Sequence, residues 1–417
     1  MIKRELTNIF KSFFILLIIL FIYNCDYKEK STYYKKKFIT DSEIVSIDSI
    51  NNDTKIMSLS YKYFDYYSIK LFDINKDKNI WELEVKTDKE DSKYVSDIEY
   101  IPSINKDKLI FLYKNQTYRI ISSDNNSIQL WDINNHKNIW ELKNSSKLVY
   151  DIEVISSNGS NRLLSLCKDK DEDKIAKIKI LDIESKRIIK EIDINSLKIK
   201  GEYPFLIEAC YNKNKTLMAI KGYNGEIILF DLTTFKEIKK KKIHDDNSFD
   251  IRFSSDDKYI YSFNNSEVKG WDININKIET IYKWEKNFLL GMDISSNNKY
   301  IGLSVSTVNE DYTMTESPEL SELLIIDLNN KNKIRQLQGH KYPVKSLEFS
   351  PNGEIIASGE YVSGTIHLWD VESGKEIIAF HEHSYTVTDI KFTPDGKYLI
   401  AAGSRNKIIV WDVSSFH

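Results

Sequence analysis

The stretch that decides the fold is GHKYPVKSLEFSPNGEIIASGEYVSGTIHLWDVESGKEIIAF, residues 339–380. It contains four apolar runs, each separated from the next by a short polar connection. In PNG at 351–353 the proline fixes φ, and the glycines there and in ESG at 372–374 supply a positive φ. Apolar runs of this length joined by such turns predict a meander of four antiparallel strands.

The third run of this stretch ends in IHLWD, and pentads of the same kind recur along the chain. Each is an apolar strand ended by a bulky residue and Asp; they occupy residues 69–73, 128–132, 178–182, 227–231, 268–272, 323–327, 366–370 and 408–412. Recurrence at a regular spacing indicates a repeat architecture. Because the chain after its N-terminal segment shows no sustained helical period, the pentads predict an all-β protein built from eight similar units.

Residues 338–412 resemble two successive WD40 repeats. Gly339-His340 precedes the first strand, and SPNG and TPDG follow the first strands of the two repeats. Trp369-Asp370 and Trp411-Asp412 close the third strands. The resemblance extends in degenerate form over residues 36–417 and implies a WD40-like β-propeller of eight blades. Seven blades is the alternative, if a pentad near residues 95–132 belongs to an elaboration.

The resemblance also implies a buried polar network. His244, His340 and His383 hold equivalent positions, where the family has a His that bonds a Ser or Thr, a turn Asp and the Trp of its own blade. The turn Asp is missing from the last two repeats, where Asn406 lies near one such position, and five repeats lack the His. The resemblance therefore implies a partial network, with most blades relying on apolar packing.

The two ends of the chain predict how the ring closes. Only five residues follow Asp412, too few for a turn and a fourth strand, whereas KKKFIT at 35–40 has no repeat of its own. WD40 propellers close by letting an N-terminal strand complete the last blade. Closure of this kind removes an exposed sheet edge, and we expect it here.

Residues 1–24 predict a signal peptide, because basic residues precede an apolar run from Phe13 to Tyr23. The segment resembles a bacterial lipoprotein signal, which implies lipidation at Cys25 and a polar tether over 25–35. An uncleaved N-terminal anchor is the alternative. Both interpretations predict that residues 36–417 are membrane-anchored on the extracytoplasmic side of a bacterial cell envelope.

The connections predict where a partner binds. In this family the loops between second and third strands share one face with those leading into the first strand. The long insertion at 307–321 is acidic with an aromatic residue, and two further tyrosines each lie two residues after an aligned His. Tyrosine is a favoured interface anchor. The predicted partner-binding residues are Glu310, Asp311, Tyr312, Glu316, Tyr342 and Tyr385. A merely tolerated insertion is the alternative.

Other functions find little support in the sequence. A formal net charge of -3 argues against a broad nucleic-acid surface. There is no GxSxG, HExxH, P-loop or dinucleotide-binding motif. His381 and His383 have no neighbouring Cys or carboxylate cluster, so they do not predict a metal site. We therefore predict a monomeric, non-enzymatic scaffold with a protein partner and no cofactor.

One alternative function comes from a second resemblance. FDINKDKNIWEL at 72–83 and WDINNHKNIWEL at 131–142 resemble the blade motif of quinoprotein-type propellers, with Trp81 and Trp140 on the outer strand. That resemblance implies an eight-bladed lipoprotein related to envelope-assembly factors or quinone-dependent dehydrogenases. The turn glycine of that motif is absent here.

Overall fold

The structure is a computed structural model. It describes residues 34–39, 43–50, 55–62, 66–76, 78–86, 93–101, 108–115, 127–132, 137–143, 148–157, 160–168, 176–183, 185, 187–194, 208–222, 225–245, 250–264, 266–284, 287–307, 321–331, 333–381, 386–403 and 407–416. For some strand residues only the backbone is described.

The described chain is built of β-strands, with one short 3-10 helix at Ser414–Phe416. The first sixteen strands are β1 (Tyr34–Ile39), β2 (Glu43–Ile50), β3 (Lys55–Lys62), β4 (Tyr66–Asp73), β5 (Lys78–Lys86), β6 (Lys93–Ile101), β7 (Lys108–Asn115), β8 (Ser127–Asp132), β9 (Lys137–Lys143), β10 (Leu148–Ser157), β11 (Ser160–Lys168), β12 (Ala176–Asp182), β13 (Arg187–Ile194), β14 (Glu208–Tyr211), β15 (Leu217–Lys221) and β16 (Glu226–Asp231). The others are β17 (Lys236–Lys242), β18 (Asp250–Phe253), β19 (Tyr259–Phe263), β20 (Glu267–Asp272), β21 (Lys277–Lys283), β22 (Asn287–Ile294), β23 (Tyr300–Thr307), β24 (Ser321–Asp327), β25 (Ile334–Leu337), β26 (Val344–Phe349), β27 (Ile355–Glu360), β28 (Ile366–Asp370), β29 (Glu376–Phe380), β30 (Val387–Phe392), β31 (Tyr398–Gly403) and β32 (Lys407–Asp412). The predicted all-β class is confirmed.

The strands form four-stranded antiparallel sheets. Seven sheets take four consecutive strands in chain order, from β2–β5 to β26–β29. The eighth has the order β1-β32-β31-β30, in which β1 pairs antiparallel with β32. This arrangement is consistent with a WD40-like propeller.

The Asp that ends each pentad is also the last residue of a third strand, from Asp73 in β4 to Asp412 in β32. Its carboxylate organises the turn that follows. Asp370 Oδ1 accepts a hydrogen bond from the Ser373 N–H at 2.7 Å, and Asp272 Oδ1 accepts one from the Asn274 N–H at 2.9 Å. Asp side chains stabilise turns by accepting such bonds from the backbone that follows, so the repeated Asp marks where each third strand stops.

The turns after the first strands have an equally local cause. The Ser350 hydroxyl donates to Asn352 Oδ1 at 2.7 Å and accepts the Ile355 N–H at 3.0 Å. Gly353 and Gly396 have φ values of 75° and 72°, the left-handed region that favours glycine. The predicted turns at PNG and PDG are therefore present.

Where side chains are described, the apolar core lies between neighbouring sheets. Trp271, Trp369 and Trp411 of third strands are at most 1% exposed. One apolar cluster joins Ile56 and Phe72 of the first sheet, β2–β5, to residues of the last sheet that include Tyr398 and Ile400. The first and last sheets of the described chain are thus in side-chain contact.

The fourth strand β17 is polar, and its residues are exposed or half-buried. Trp81 and Trp140 lie in the fourth strands β5 and β9, where their side chains are outside the described part. Among the described residues, no helix has the length and apolar character needed to cross a membrane.

Candidate partner-binding face and its buried support

Most of the predicted site residues fall outside the described part of the chain. These are Cys25, Glu310, Asp311, Tyr312, Glu316, His383 and Tyr385. Tyr342 and the repeat residues His340, Trp369, Asp370, Trp411 and Asp412 are described. The site can therefore be built around the sheet β26–β29, whose connections are described in full.

Two connections of this sheet lie side by side. The first, residues 338–343, leads into β26, and the second, residues 361–365, joins β27 to β28. The Tyr361 N–H donates to the Pro343 carbonyl at 2.8 Å, which ties the two together. They form the turn face, the name used below for residues 338–343 and 361–365.

The turn face presents apolar side chains to solvent. Tyr361 is 38% exposed and Val362 is 36% exposed, while Tyr342 is half-buried. Tyr342 was predicted from the sequence, but Tyr361 and Val362 were not. Both belong to YVSG, which directly follows the second strand, and the family resemblance implies that such connections lie on the binding face. The structure therefore adds an aromatic and an aliphatic residue beside Tyr342.

Beneath the turn face lies a buried polar network. The Ser358 hydroxyl in β27 lies 3.0 Å from His340 Nε2 and accepts the Trp369 Nε1–H at 2.8 Å. Ser358 is 0% exposed and Trp369 1%. A serine at the centre of β27 thus connects the loop before β26 to the third strand β28.

Glu360, the last residue of β27, supplies the carboxylate that the repeat lacks as a turn Asp. Its Oε1 accepts the Lys341 N–H at 2.7 Å and lies 3.4 Å from His340 Nδ1, and its Oε2 accepts the Ser363 hydroxyl. Burial alone would raise the pKa of Glu360, but hydrogen bonds from His340, Ser363 and Lys341, with the His367 ring close by, outweigh it and hold that pKa far below its ordinary value. The carboxylate is therefore charged and fixed.

His367 completes the buried group, and sequence analysis did not identify it. Its ring lies 4.4 Å from that of His340 and stacks on Trp369 at 5.4 Å, measured between centroids. Its Nδ1 lies 3.4 Å from Glu376 Oε1. Burial lowers the pKa of the neighbouring His340 despite the Glu360 carboxylate, so neutral imidazole is favoured there.

Other described sheets carry different residues at these positions. In β18–β21, Lys269 takes the place of His367, and Trp271 Nε1–H donates to Asn276 Oδ1 at 3.0 Å instead of to Ser262. In the last sheet, Ala401 takes the place of Ser358. Within the described residues, the His–Ser–Trp hydrogen bonds are thus present in one sheet of these three.

The first strands carry a second set of charges, which are half-buried. Asp293 Oδ2 accepts the Phe349 N–H of the next sheet at 2.8 Å, and Glu348 Oε1 accepts the Phe392 N–H at 3.1 Å. Glu348 Oε2 lies 3.0 Å from Lys391 Nζ. Burial raises the pKa of Glu348 to about 7 although Lys391 opposes it, and burial also raises the pKa of Asp293. These carboxylates join one first strand to the next.

The Trp-Asp third strands and the His340–Ser358–Trp369 hydrogen bonds agree with the resemblance to WD40 repeats. In agreement, residues 331–370 and 374–412 match the family model described as "WD domain, G-beta repeat". Together with similar proteins whose names include WD repeats, this match supports a WD40 family for the chain.

Two curated relatives and one solved structure illustrate the similarity. The chain is 25% identical over 187 residues to the WD repeat-containing protein SL1-17 of Schistosoma mansoni, covering 43% of this chain and 56% of the relative. It is 21% identical over 295 residues to a protein of Candida glabrata named non-specific serine/threonine protein kinase, covering 64% of this chain and 21% of the relative. The matched part is thus less than two thirds of either relative's length.

A crystal structure of the computationally designed Ika8 protein superposes with a TM-score of 0.62 at 14% identity, covering 91% of this chain and 100% of that protein. At this identity the likeness shows the fold alone. These matches give the quinoprotein alternative no support.

Proposed function

We propose that this protein is a membrane-tethered, non-enzymatic scaffold that binds a protein partner through its turn face. One observation carries the proposal: Tyr361 and Val362 are exposed next to Tyr342 on two connections that hydrogen bonds hold together. Tyrosine contributes a large contact area at low ordering cost, which makes it a frequent anchor in interfaces.

The support beneath these residues favours binding. Glu360 accepts the Lys341 N–H and the Ser363 hydroxyl, so its one carboxylate holds both connections of the turn face. A rigid surface loses less conformational entropy when a partner docks. A protein partner with an apolar patch therefore fits this face better than a small charged ligand does.

The acidic insertion belongs to the same proposal. We place Glu310, Asp311, Tyr312 and Glu316 of the preceding repeat, and Tyr385 of the following one, at the rim of this face. This placement follows from chain position. The insertion follows a second strand, as residues 361–365 do, and Tyr385 precedes a first strand, as residues 338–343 do. A basic surface on the partner would complement the acidic insertion.

We also propose that the sheets form an eight-bladed ring closed by β1. Eight four-stranded sheets in the described chain, the pairing of β1 with β32, and the apolar cluster between the first and last sheets support it. A monomer is expected, because the strand edges that a closed propeller leaves at its rim are short and protected.

The tether remains a proposal drawn from the sequence: residues 1–24 as a signal peptide, Cys25 as the lipidated residue and 25–35 as the spacer, on the extracytoplasmic side of a bacterial envelope. The test compares Cys25→Ala with the control Cys210→Ala. We expect intact-mass analysis to find an acyl group on the native and control proteins and none on Cys25→Ala. An unmodified, uncleaved native chain would favour the anchor alternative.

The non-enzymatic part of the proposal rests on the family. WD40-repeat proteins are generally scaffolds, and the word kinase in the name of the Candida glabrata relative belongs to a protein of which the match covers 21%. Incubation of the purified chain with ATP and a general kinase substrate should transfer no phosphate. Transfer that persists in a protein purified to homogeneity would refute this part.

Site-specific photo-crosslinking tests the binding face. A photo-reactive phenylalanine derivative is placed at Tyr361, at Tyr342 or, as control, at Ile275, which is 70% exposed. Ile275 follows a third strand and so lies at the opposite edge of its sheet. We expect one discrete protein adduct from positions 361 and 342 and none from 275. Adducts of equal yield from all three positions would contradict the proposed face.

A further inference from the structure

The strongest unexplained feature of the molecule is a buried group of two histidines and one carboxylate beneath the turn face. His340, Glu360 and His367 each offer one ligand atom, and these atoms all lie within 4.8 Å of one another. The three residues are 7%, 2% and 5% exposed, respectively. Two imidazoles and a carboxylate are the ligand types that zinc accepts.

The polar network leaves one of these atoms without a hydrogen bond. His367 Nε2 is buried and has no hydrogen-bond partner, whereas its Nδ1 faces Glu376. A buried polar atom without a partner destabilises the protein. A cation bound to this nitrogen would give it a partner. A purely structural role of the His367 ring would leave the nitrogen without one.

The distances fit a tetrahedral metal. Ligand atoms about 2.0–2.1 Å from zinc lie roughly 3.3 Å apart in a tetrahedron. The Glu360 Oε1 atom lies 3.4 Å from His340 Nδ1 and 3.6 Å from His367 Nε2. The ligand nitrogens of His340 and His367 lie within 4.8 Å of each other, so the two rings would move closer together when they bind the ion.

The surroundings orient these ligands as in a built metal site. Glu376 Oε1 can accept the Nδ1–H of His367, which leaves Nε2 deprotonated toward the site. Ser358 Oγ can accept the Nε2–H of His340, which leaves the Nδ1 of His340 deprotonated and facing the site. Histidine ligands of metals typically donate their other ring N–H to a carboxylate or another acceptor.

We propose that His340, Glu360 and His367 bind one zinc ion, with water in the fourth position. The Lys341 N–H and the Ser363 hydroxyl donate hydrogen bonds to the Glu360 carboxylate, so this ligand also joins the two connections of the turn face. The site departs from the sequence-based prediction of no metal, because neither Glu360 nor His367 belongs to a motif. It stands independently of the proposed protein binding.

The chain itself supplies the design of a variant that should fold without the site. In the sheet β18–β21, Lys269 occupies the position of His367 and its Nζ lies 2.6 Å from Glu267, a carboxylate that also faces His244 Nδ1 at 3.6 Å. His367→Lys copies this pairing of a lysine with a carboxylate, which is half-buried in β18–β21. His244→Ala is the matched control, because it removes a buried histidine outside the site.

The experiment is calorimetric titration of the purified, chelator-treated full chain with zinc chloride. We expect one zinc per chain with micromolar or tighter affinity for the native protein and for His244→Ala, and no such binding for His367→Lys. Glu376→Gln should weaken binding about 10- to 100-fold, as loss of a partner behind a ligand does. Cobalt in place of zinc should give the visible absorption of a tetrahedral site.

Three results would overturn the proposal. These are no saturable binding by the native protein, stoichiometric binding that persists in His367→Lys, and equal loss in the His244→Ala control. Thermal melting of each variant shows whether it is folded; zinc should raise the melting temperature of the native chain and leave that of His367→Lys unchanged. If His367→Lys does not fold, Glu376→Gln still decides, because unchanged affinity there contradicts the proposed ligand orientation.

Discussion

Ser358 and Ser262 occupy the same position in two sheets, but we expect a large loss of stability when Ser358 becomes alanine and little change when Ser262 does. Both are 0% exposed, and each lies two residues after the residue paired with the third-strand Trp. Ser358 Oγ bonds both His340 Nε2 and Trp369 Nε1. Ser262 Oγ makes no hydrogen bond in the structure.

The magnitude follows from the groups left behind. Ser358→Ala leaves two buried donors or acceptors without their partner, and each such loss costs about 1–3 kcal/mol, so we expect a total of about 2–6 kcal/mol. Ser262→Ala removes a buried hydroxyl that has no partner, and we expect a change of less than about 1 kcal/mol or a small stabilisation.

The assay is urea unfolding of the chelator-treated chain, followed by tryptophan fluorescence. Stabilities are compared through the transition midpoint at equal slope, since an unchanged slope shows that the same surface is exposed on unfolding. Equal destabilisation by the two substitutions, or a neutral Ser358→Ala, would refute the assigned role of the His–Ser–Trp hydrogen bonds.

Three further predictions concern the sheets. Burial raises the pKa of Glu348 from 4.5 to about 7, so the native chain binds more protons than the unfolded chain between these pH values. The free energy of unfolding should therefore fall by up to about 3 kcal/mol as pH rises through that window. Glu348→Gln should remove this part of the pH dependence, and an unchanged stability–pH curve would contradict the assignment. Gly359→Ala should destabilise by about 1–3 kcal/mol, since its new Cβ would lie 2.7 Å from Val387 Cγ1; a neutral effect in thermal melting would show that the two sheets separate easily. Deletion of residues 35–40 should lower stability by about 3 kcal/mol or more, because the β1–β32 hydrogen bonds are lost. As a control, deletion of six residues of the proposed tether, 27–32, should leave the melting temperature unchanged. Equal melting temperatures of the two deletions would contradict closure by β1.

Much of the local structure could be predicted from the sequence because its causes are local. The pentads end where third strands end, since the Asp, as at Asp272, Asp327 and Asp370, accepts bonds from the turn directly after it. Gly353 and Gly396 adopt the positive φ that their turns require. In these cases the residue and the structure that it determines lie within a few positions of each other.

The polar group beneath the turn face could be predicted only in part. His340 was found through its motif, but Glu360 and His367 meet it because the antiparallel register of β27 and β28 brings them together. Register sets which side chains face each other across a sheet and is not visible in either strand alone. The exposed pair Tyr361 and Val362 depends likewise on how the 338–343 connection packs.

Binding of a protein partner by the turn face is tested most directly with purified variants of the turn face. Their affinity is measured for the protein that crosslinks to this face. Tyr361→Ala and Tyr342→Ala should each weaken binding by about tenfold or more, as loss of an aromatic anchor does, whereas Ile275→Ala at the opposite edge should leave the affinity unchanged. Unchanged affinity in both tyrosine variants, with folded protein in each case, would contradict the claim.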